Sequence, residues 1–171
     1  MDFEAPILDL VRLSLESFID DKKFINHFID TFHSDDTFFV ENENDMPAGV
    51  MHMLRFTDSK GLRAGYFYGL FTMPIHRRKG IGRGLISDAI ATLYCDGYDY
   101  AVLIPHSKEA LRWYKKVGFK TLNNNSITVS AFDGCDLTTG KDNSLPAMYY
   151  DLHDNFNEIP ADNVIKIPKP E

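Results

Sequence analysis

Thr72-Met73-Pro74-Ile75-His76-Arg77-Arg78-Lys79-Gly80-Ile81-Gly82-Arg83-Gly84-Leu85 is the stretch on which the fold turns. Before it, Ala64-Gly65-Tyr66-Phe67-Tyr68-Gly69-Leu70-Phe71-Thr72 reads as a strand of about 64–72. After it, Ile81, Leu85, Ile86, Ala89, Ile90 and Leu93 recur at helical spacing and predict an amphipathic helix of about 80–95. A strand ends, a basic loop crosses, glycines follow and a helix begins. A helix N-terminus carries N–H groups without intrahelical partners and the positive end of a dipole, so it favours an anion. Gly80, Gly82 and Gly84 leave room for a phosphate to approach the backbone. Arg77, Arg78, Lys79 and Arg83 set four cations within seven residues. A pyrophosphate suits such a loop.

That cluster stands out because the chain is acidic. It has 171 residues, with Lys+Arg 18 against Asp+Glu 25 and a formal net charge of -7. The balance argues against general nucleic-acid binding, which needs a basic face, and is compatible with a cationic substrate such as an amine. Hydrophobic residues at 44% and aromatics at 13% support a packed globule rather than a disordered chain. The length fits one domain, 1–171, with no repeat or linker dividing it. Cys95 and Cys135 are too far apart for a metal motif and predict reduced thiols. No metal site is expected. The acidic start lacks a signal-peptide n-region, and no apolar run approaches the roughly 18 residues of a membrane span. The expectation is a cytoplasmic protein with no membrane partner, monomeric or homodimeric.

Outward from the loop, two helix patterns precede the strands. Leu8, Val11, Leu15, Phe18 and Ile19 mark the first, and Phe24, Ile25, Phe28, Ile29 and Phe32 the second, with Asp20-Asp21 as a candidate cap. Thr37 to Val40 and about 49–56 read as strands separated by a polar turn at 41–45, and short loops favour antiparallel pairing with the strand of about 64–72. Beyond the central helix, closed by Gly97, Tyr100 to Ile104 reads as a buried strand and about 107–117 as a helix, N-capped by Ser107 and ended by Gly118. The strand–helix–strand order implies a parallel pair with a right-handed crossover. Residues 127–132 and 147–152 are expected to form a final hairpin joined by a loop over 133–146, and the tail from about 154 to be extended.

Other glycine-loop chemistries fail on spacing. A dinucleotide fingerprint needs Gly where Leu85 stands, and no P-loop sequence is present. A solvated surface turn would explain the loop alone. A second segment decides against that: Glu109-Ala110-Leu111-Arg112-Trp113-Tyr114-Lys115-Lys116-Val117-Gly118-Phe119. Together the two resemble the GNAT superfamily of acyl-CoA N-acyltransferases. Its pyrophosphate loop, R/Q-x-x-G-x-G/A, is matched by Arg77, Gly80 and Gly82, and its later A-x-x-[FLW]-Y-x-x-x-G-F by Ala110, Trp113, Tyr114, Gly118 and Phe119. The resemblance covers about residues 37–120.

The resemblance implies an α+β fold: a mixed central sheet with antiparallel N-terminal strands, a splayed parallel pair and flanking helices. It implies transfer of an acetyl group from acetyl-CoA to a primary amine of a small molecule or peptide, by direct attack within a ternary complex. Backbone N–H groups of Leu70, Phe71 and Thr72 would hold the thioester carbonyl and pantetheine. Arg77 and the backbone of Arg78, Lys79, Gly80, Ile81 and Gly82, with Arg83 and Gly84, would cradle the pyrophosphate. Tyr114 matches the general acid that protonates the departing thiolate. Ser107 stands where many relatives have Asn; it could bond pantetheine or only cap its helix. Some relatives carry a Glu base on the third strand. Here that strand offers Tyr66 and Tyr68, which alternation places on one face with Leu70 as candidates for the acceptor pocket. Water, Glu41 or His52 could take the amine proton instead. A noncatalytic acyl-CoA-binding module is the competing reading.

Overall fold

The computed structural model of the protein describes residues 4–17, 20, 22–31, 38–58, 60–122, 127–131, 135–138, 145–154 and 163–167. Helices α1 (Glu4–Glu16) and α2 (Lys22–Thr31) precede strands β1 (Phe38–Glu43), β2 (Met46–Thr57) and β3 (Arg63–Thr72). A 3-10 turn (Pro74–His76), α3 (Ile81–Cys95), β4 (Tyr100–Leu103), α4 (Lys108–Val117) and β5 (Lys120–Thr121) follow. The last strands are β6 (Ile127–Ala131), β7 (Cys135–Thr138), β8 (Met148–Asp151) and β9 (Asn163–Ile167). Six strands pair in the order β1-β2-β3-β4-β8-β5, and three more in the order β7-β6-β9. This is the mixed sheet with flanking helices expected from the sequence. The expected Asp20-Asp21 cap, and Phe18, Ile19, Phe32 and Thr37, lie wholly or partly outside the described residues.

Two compact units divide the contacts. One is Met1–Met53 with Tyr68–Ala89 and Pro170–Glu171, and the other is Leu54–Phe67 with Ile90–Lys169. In the first unit, β1 and β2 pair antiparallel through Phe38↔His52 to Glu43↔Met46. The strand runs further than residue 40. Asn44 and Asp45 both take positive φ, 51° and 62°, so they alone make the two-residue turn, a type I′ geometry these residue types tolerate. Leu10, Val11, Leu15 and Ile25 from the two helices bury against Val50, with Ile7, Ile29, Phe71 and Met73 at the edge. Each buried aliphatic side chain here contributes roughly 1.5–3 kcal/mol. On the opposite face, Gly49 lies under α3: a Cβ there would stand 2.5 Å from Ile81 Cγ2 and 3.1 Å from Leu85 Cδ1.

β3 does not keep one alternation. His52, which shares a face with Val50, stacks on Tyr68 with ring centroids 5.1 Å apart and planes at 21°. Phe71 packs into the same Val50 cluster. Tyr68 and Phe71 are three apart, so the parity changes between them. The cause is Gly69, whose φ of 62° puts a left-handed residue inside the strand, as in a glycine bulge. The expected grouping of Leu70 with Tyr66 and Tyr68 therefore gives way: Phe71 takes that face, and Leu70 takes the other.

In the second unit, β3 pairs parallel with β4 over Ala64↔Tyr100 to Phe67↔Leu103. All four residues of β4 are buried. Tyr100 donates its hydroxyl to Asp58 at 2.9 Å, and the other Asp58 oxygen accepts the N–H groups of Lys60 and Leu62, closing the turn into β3. The expected hairpin of 127–132 with 147–152 does not form. β8 pairs with β4 and β5, while β6 pairs with β7 and, in parallel, with β9. Alternation identifies a strand but not its partner, and both segments alternate. β7 lies inside the expected loop and β9 inside the expected extended tail.

His52 supplies the pH test of this packing. It is fully buried, and burial alone lowers its pKa to about 4 from 6.5. The depressed value means the unfolded chain binds the proton first, so stability is present above pH 6.5 and is lost as pH falls towards 4. The loss specific to this group is about 3 kcal/mol. Denaturant unfolding of wild type and His52→Gln from pH 7 to 4 should show that part of the slope disappearing in the variant.

Candidate active site

The loop after β3 is shaped by backbone geometry that its residues do not adopt by default. Arg77 is extended, and Arg78 then takes a left-handed φ of 65°. Such a conformation is uncommon for a side chain of this kind and costs about 1–2 kcal/mol. Gly80 follows with a φ of 82°. Its carbonyl accepts the N–H of Gly84 at 3.0 Å, the first bond of α3. Helix geometry leaves the N–H groups of Gly80, Ile81, Gly82 and Arg83 without intrahelical acceptors. The N–H of Gly84 is already engaged, so among the loop glycines it is not a donor to a ligand.

The four cations are not equivalent. Arg77 donates Nε–H to the Thr72 carbonyl at 3.2 Å and lies over the Phe71 ring at 6.0 Å. It therefore ties the loop to the end of β3. Lys79 pairs with Glu43 at 3.6 Å. Arg78 and Arg83 are exposed and make no ion pair with a described residue. Leu70, Phe71 and Thr72 are half-buried at the strand end. The ladder with β4 ends at Phe67, so β3 continues over 68–72 past its parallel partner strand. Tyr68, beside this segment, is held protonated because burial raises its phenol above the ordinary value.

Tyr66, Ser107 and Tyr114 belong to the second unit. Tyr66 is buried. Ser107 caps α4, its hydroxyl accepting the N–H of Ala110 at 3.0 Å. Gly118 ends the helix at a φ of 116°, and its N–H reaches the Tyr114 and Lys115 carbonyls. Tyr114 is buried, edge-on to Trp113 at 5.0 Å and to Phe119 at 5.7 Å. Its hydroxyl makes no hydrogen bond with a described residue. Burial pushes the phenol well above its ordinary value, so the group keeps its proton through the physiological range. Among the described residues, no group of three or more His, Cys, Asp or Glu could hold a metal ion. No helix among them is long and apolar enough to cross a membrane.

The first unit thus holds a glycine-bearing loop at a helix start, and the second a buried, protonated tyrosine on α4; a family match accompanies both. The model described as "Acetyltransferase (GNAT) domain" matches residues 11–138. The chain belongs to the GNAT acetyltransferase family. Solved structures share its fold. The ribosomal-protein-S18-alanine N-acetyltransferase from Escherichia coli is 14% identical with a TM-score of 0.58, covering 93% of this chain and 92% of its own. The N-acetylglutamate synthase from Neisseria gonorrhoeae, complexed with coenzyme A and N-acetyl-glutamate, is 16% identical with a TM-score of 0.58, over 87% of this chain and 33% of its own. A GCN5-related N-acetyltransferase from Anabaena variabilis ATCC 29413 is 15% identical with a TM-score of 0.57, over 70% and 31%. The acetyltransferase chain thus spans about a third of the length of the last two. Among curated proteins, no sequence matches it.

Sequence reasoning missed three residues of this acetyltransferase. Gly49 admits α3, Glu43 takes up Lys79, and Ser14 donates its hydroxyl to the Gly69 carbonyl. Gly49 and Gly69 carried a signal, since a glycine inside a strand marks a close approach or a bulge. Glu43 and Ser14 carried none.

Because Arg78 and Arg83 lack acid partners among the described residues and Lys79 has Glu43, their substitutions should separate. In calorimetry with ADP as the diphosphate probe, Arg78→Gln and Arg83→Gln should each weaken binding about fivefold, near 1 kcal/mol. Lys79→Gln should weaken it less. Raising salt from 50 to 300 mM should narrow the differences.

Proposed function

We propose that the protein transfers the acetyl group of acetyl-CoA to a primary amine of a small molecule or peptide, by direct attack in a ternary complex within a single catalytic domain over 1–171. The observation that carries this reading is the anion-ready start of α3, with four N–H groups lacking intrahelical acceptors and two exposed cations without an acid partner among the described residues. In this reading the pyrophosphate of the co-substrate is held by the N–H groups of Gly80 to Arg83 and by Arg78 and Arg83. The N–H groups of Leu70 to Thr72 receive the thioester carbonyl and the pantetheine amides. Those residues follow the last β3–β4 pair, at Phe67, so the ladder with β4 does not use them.

In the chemical step, the amine nitrogen attacks the thioester carbon, and the carbonyl oxygen gains charge that fixed N–H donors stabilise. The carbon–sulfur bond then breaks, and the thiolate takes the proton of the Tyr114 hydroxyl. The attacking nitrogen releases its own proton to water. β3 carries no carboxylate, and His52 stays neutral at neutral pH, so neither β3 nor His52 supplies a charged base. Solvent then reprotonates Tyr114. Ser107 is chiefly the cap of α4 in this reading. Tyr66 and Tyr68 line the acceptor side. The matched synthase was solved with N-acetyl-glutamate, and the Escherichia coli relative is named for a protein alanine, so amino-acid and peptide amines head the acceptor panel.

The missing strand carboxylate also fits a module that binds acyl-CoA without turnover. Thiol release from acetyl-CoA, measured with and without a panel of amines, separates the two: acceptor-dependent release supports transfer, and binding without release supports the module. Tyr114→Phe keeps the ring packing against Trp113 and Phe119 and removes only the acid. It should lower kcat about 100-fold with little change in coenzyme A affinity. Because the phenol is raised above its ordinary value, the wild-type kcat profile should show no alkaline loss from this group below about pH 10. An unchanged kcat in the variant removes Tyr114 from the mechanism.

A further inference from the structure

A bulge in a strand leaves its extra residue outside the ladder and is held by whatever else bonds it. Here the left-handed residue at which the strand's parity changes, read as the bulge, is Gly69, one residue before the segment 70–72. Its carbonyl accepts the hydroxyl of Ser14, a contact between residues 55 apart in sequence. Ser14 lies on α1 among Leu10, Val11 and Leu15, and it is fully buried, like Val11 and Leu15. A buried hydroxyl on an apolar helix face costs stability unless it is bonded, so the position is specific for a donor rather than for packing. The Ser14 carbonyl in turn accepts the hydroxyl of Ser17. The same bulge sends Phe71 into the α1–α2 cluster, so α1 grips the strand on both sides of residue 70.

We propose that Ser14 is a positioning residue for acetyl transfer: its hydrogen bond to Gly69 fixes the bulge, and the bulge aims the backbone N–H groups of Leu70 to Thr72. The proposal rests on the reading of those N–H groups as thioester donors. Ser14 touches neither reactant in this role. Its effect falls on the chemical step, because the oxyanion geometry tightens in the transition state, and little on the anchoring of the distant pyrophosphate.

Two measurements on the full chain test it. Amide hydrogen exchange compares wild type with Ser14→Ala and, as a control at the exposed turn that follows α1, Ser17→Ala. Exchange at residues 69–72 should accelerate about tenfold in Ser14→Ala, with the remaining β3 amides and the unfolding midpoint near wild type. Kinetics at saturating acetyl-CoA should show kcat about tenfold lower and the dissociation constant for coenzyme A within twofold of wild type. If Ser14→Ala fails to fold, Ser14→Cys retains the volume with a weaker donor and should show the same pattern at smaller amplitude. Unchanged exchange at 69–72 overturns the proposal, as does faster exchange with unchanged kcat. A wild-type protein without turnover removes the proposed activity instead, and the exchange comparison then decides alone whether Ser14 holds the bulge.

Discussion

The approach of the α3 N-terminus to β2 is the constraint on which the shape of the loop before α3, and so the proposed anion site, depends. It is possible because residue 49 has no side chain: a single methyl group would meet Ile81, the first residue of the helix, and also Leu85. With the helix seated there, the chain must climb from the end of β3 to Ile81 in eight residues. It does so through one 3-10 turn and two left-handed residues, Arg78 and Gly80. Strain of about 1–2 kcal/mol at a non-glycine residue persists only where surrounding contacts fix the backbone. Those contacts are Arg77 on the Thr72 carbonyl and Lys79 on Glu43. Two of the four cations are thereby spent on loop shape, and two face solvent.

The second dependence is the bulge at Gly69. Without it, period-2 alternation would send Leu70 towards α1 and Phe71 towards α3. With it, Phe71 and Met73 complete the cluster under α1 and α2, and Ser14 reaches the strand carbonyl. One residue with positive φ thus couples the packing of the N-terminal helices to the orientation of the strand end. In the proposed reading packing and chemistry share that backbone, which is why a change in the helices is expected to reach the chemical step without touching a ligand.

The loop and α4 were legible because their signals are local. Glycines, basic residues and a cap-to-cap helix occupy short windows, and Ser107 and Gly118 cap α4 as their residue types require. The parallel pairing of β3 with β4 followed from the order of elements. What was not legible depends on long-range choice. β8 alternates like any half-buried strand, and nothing within it says that β4 and β5 are its neighbours. β7 is four residues long in a polar, glycine-bearing stretch, too short for periodicity to register. The parity change in β3 follows from a glycine φ that sequence permits but does not require. Ser14 reads as a polar interruption in an apolar helix until its partner, 55 residues away, is known.

The most direct measurement is an amide-resolved NMR titration of the full chain with coenzyme A. Saturable shifts concentrated at residues 78–83 and 70–72 are the required result, since those backbone N–H groups are assigned the phosphates and the pantetheine arm. Saturable binding that leaves both segments unmoved, or no binding at millimolar coenzyme A, contradicts that assignment.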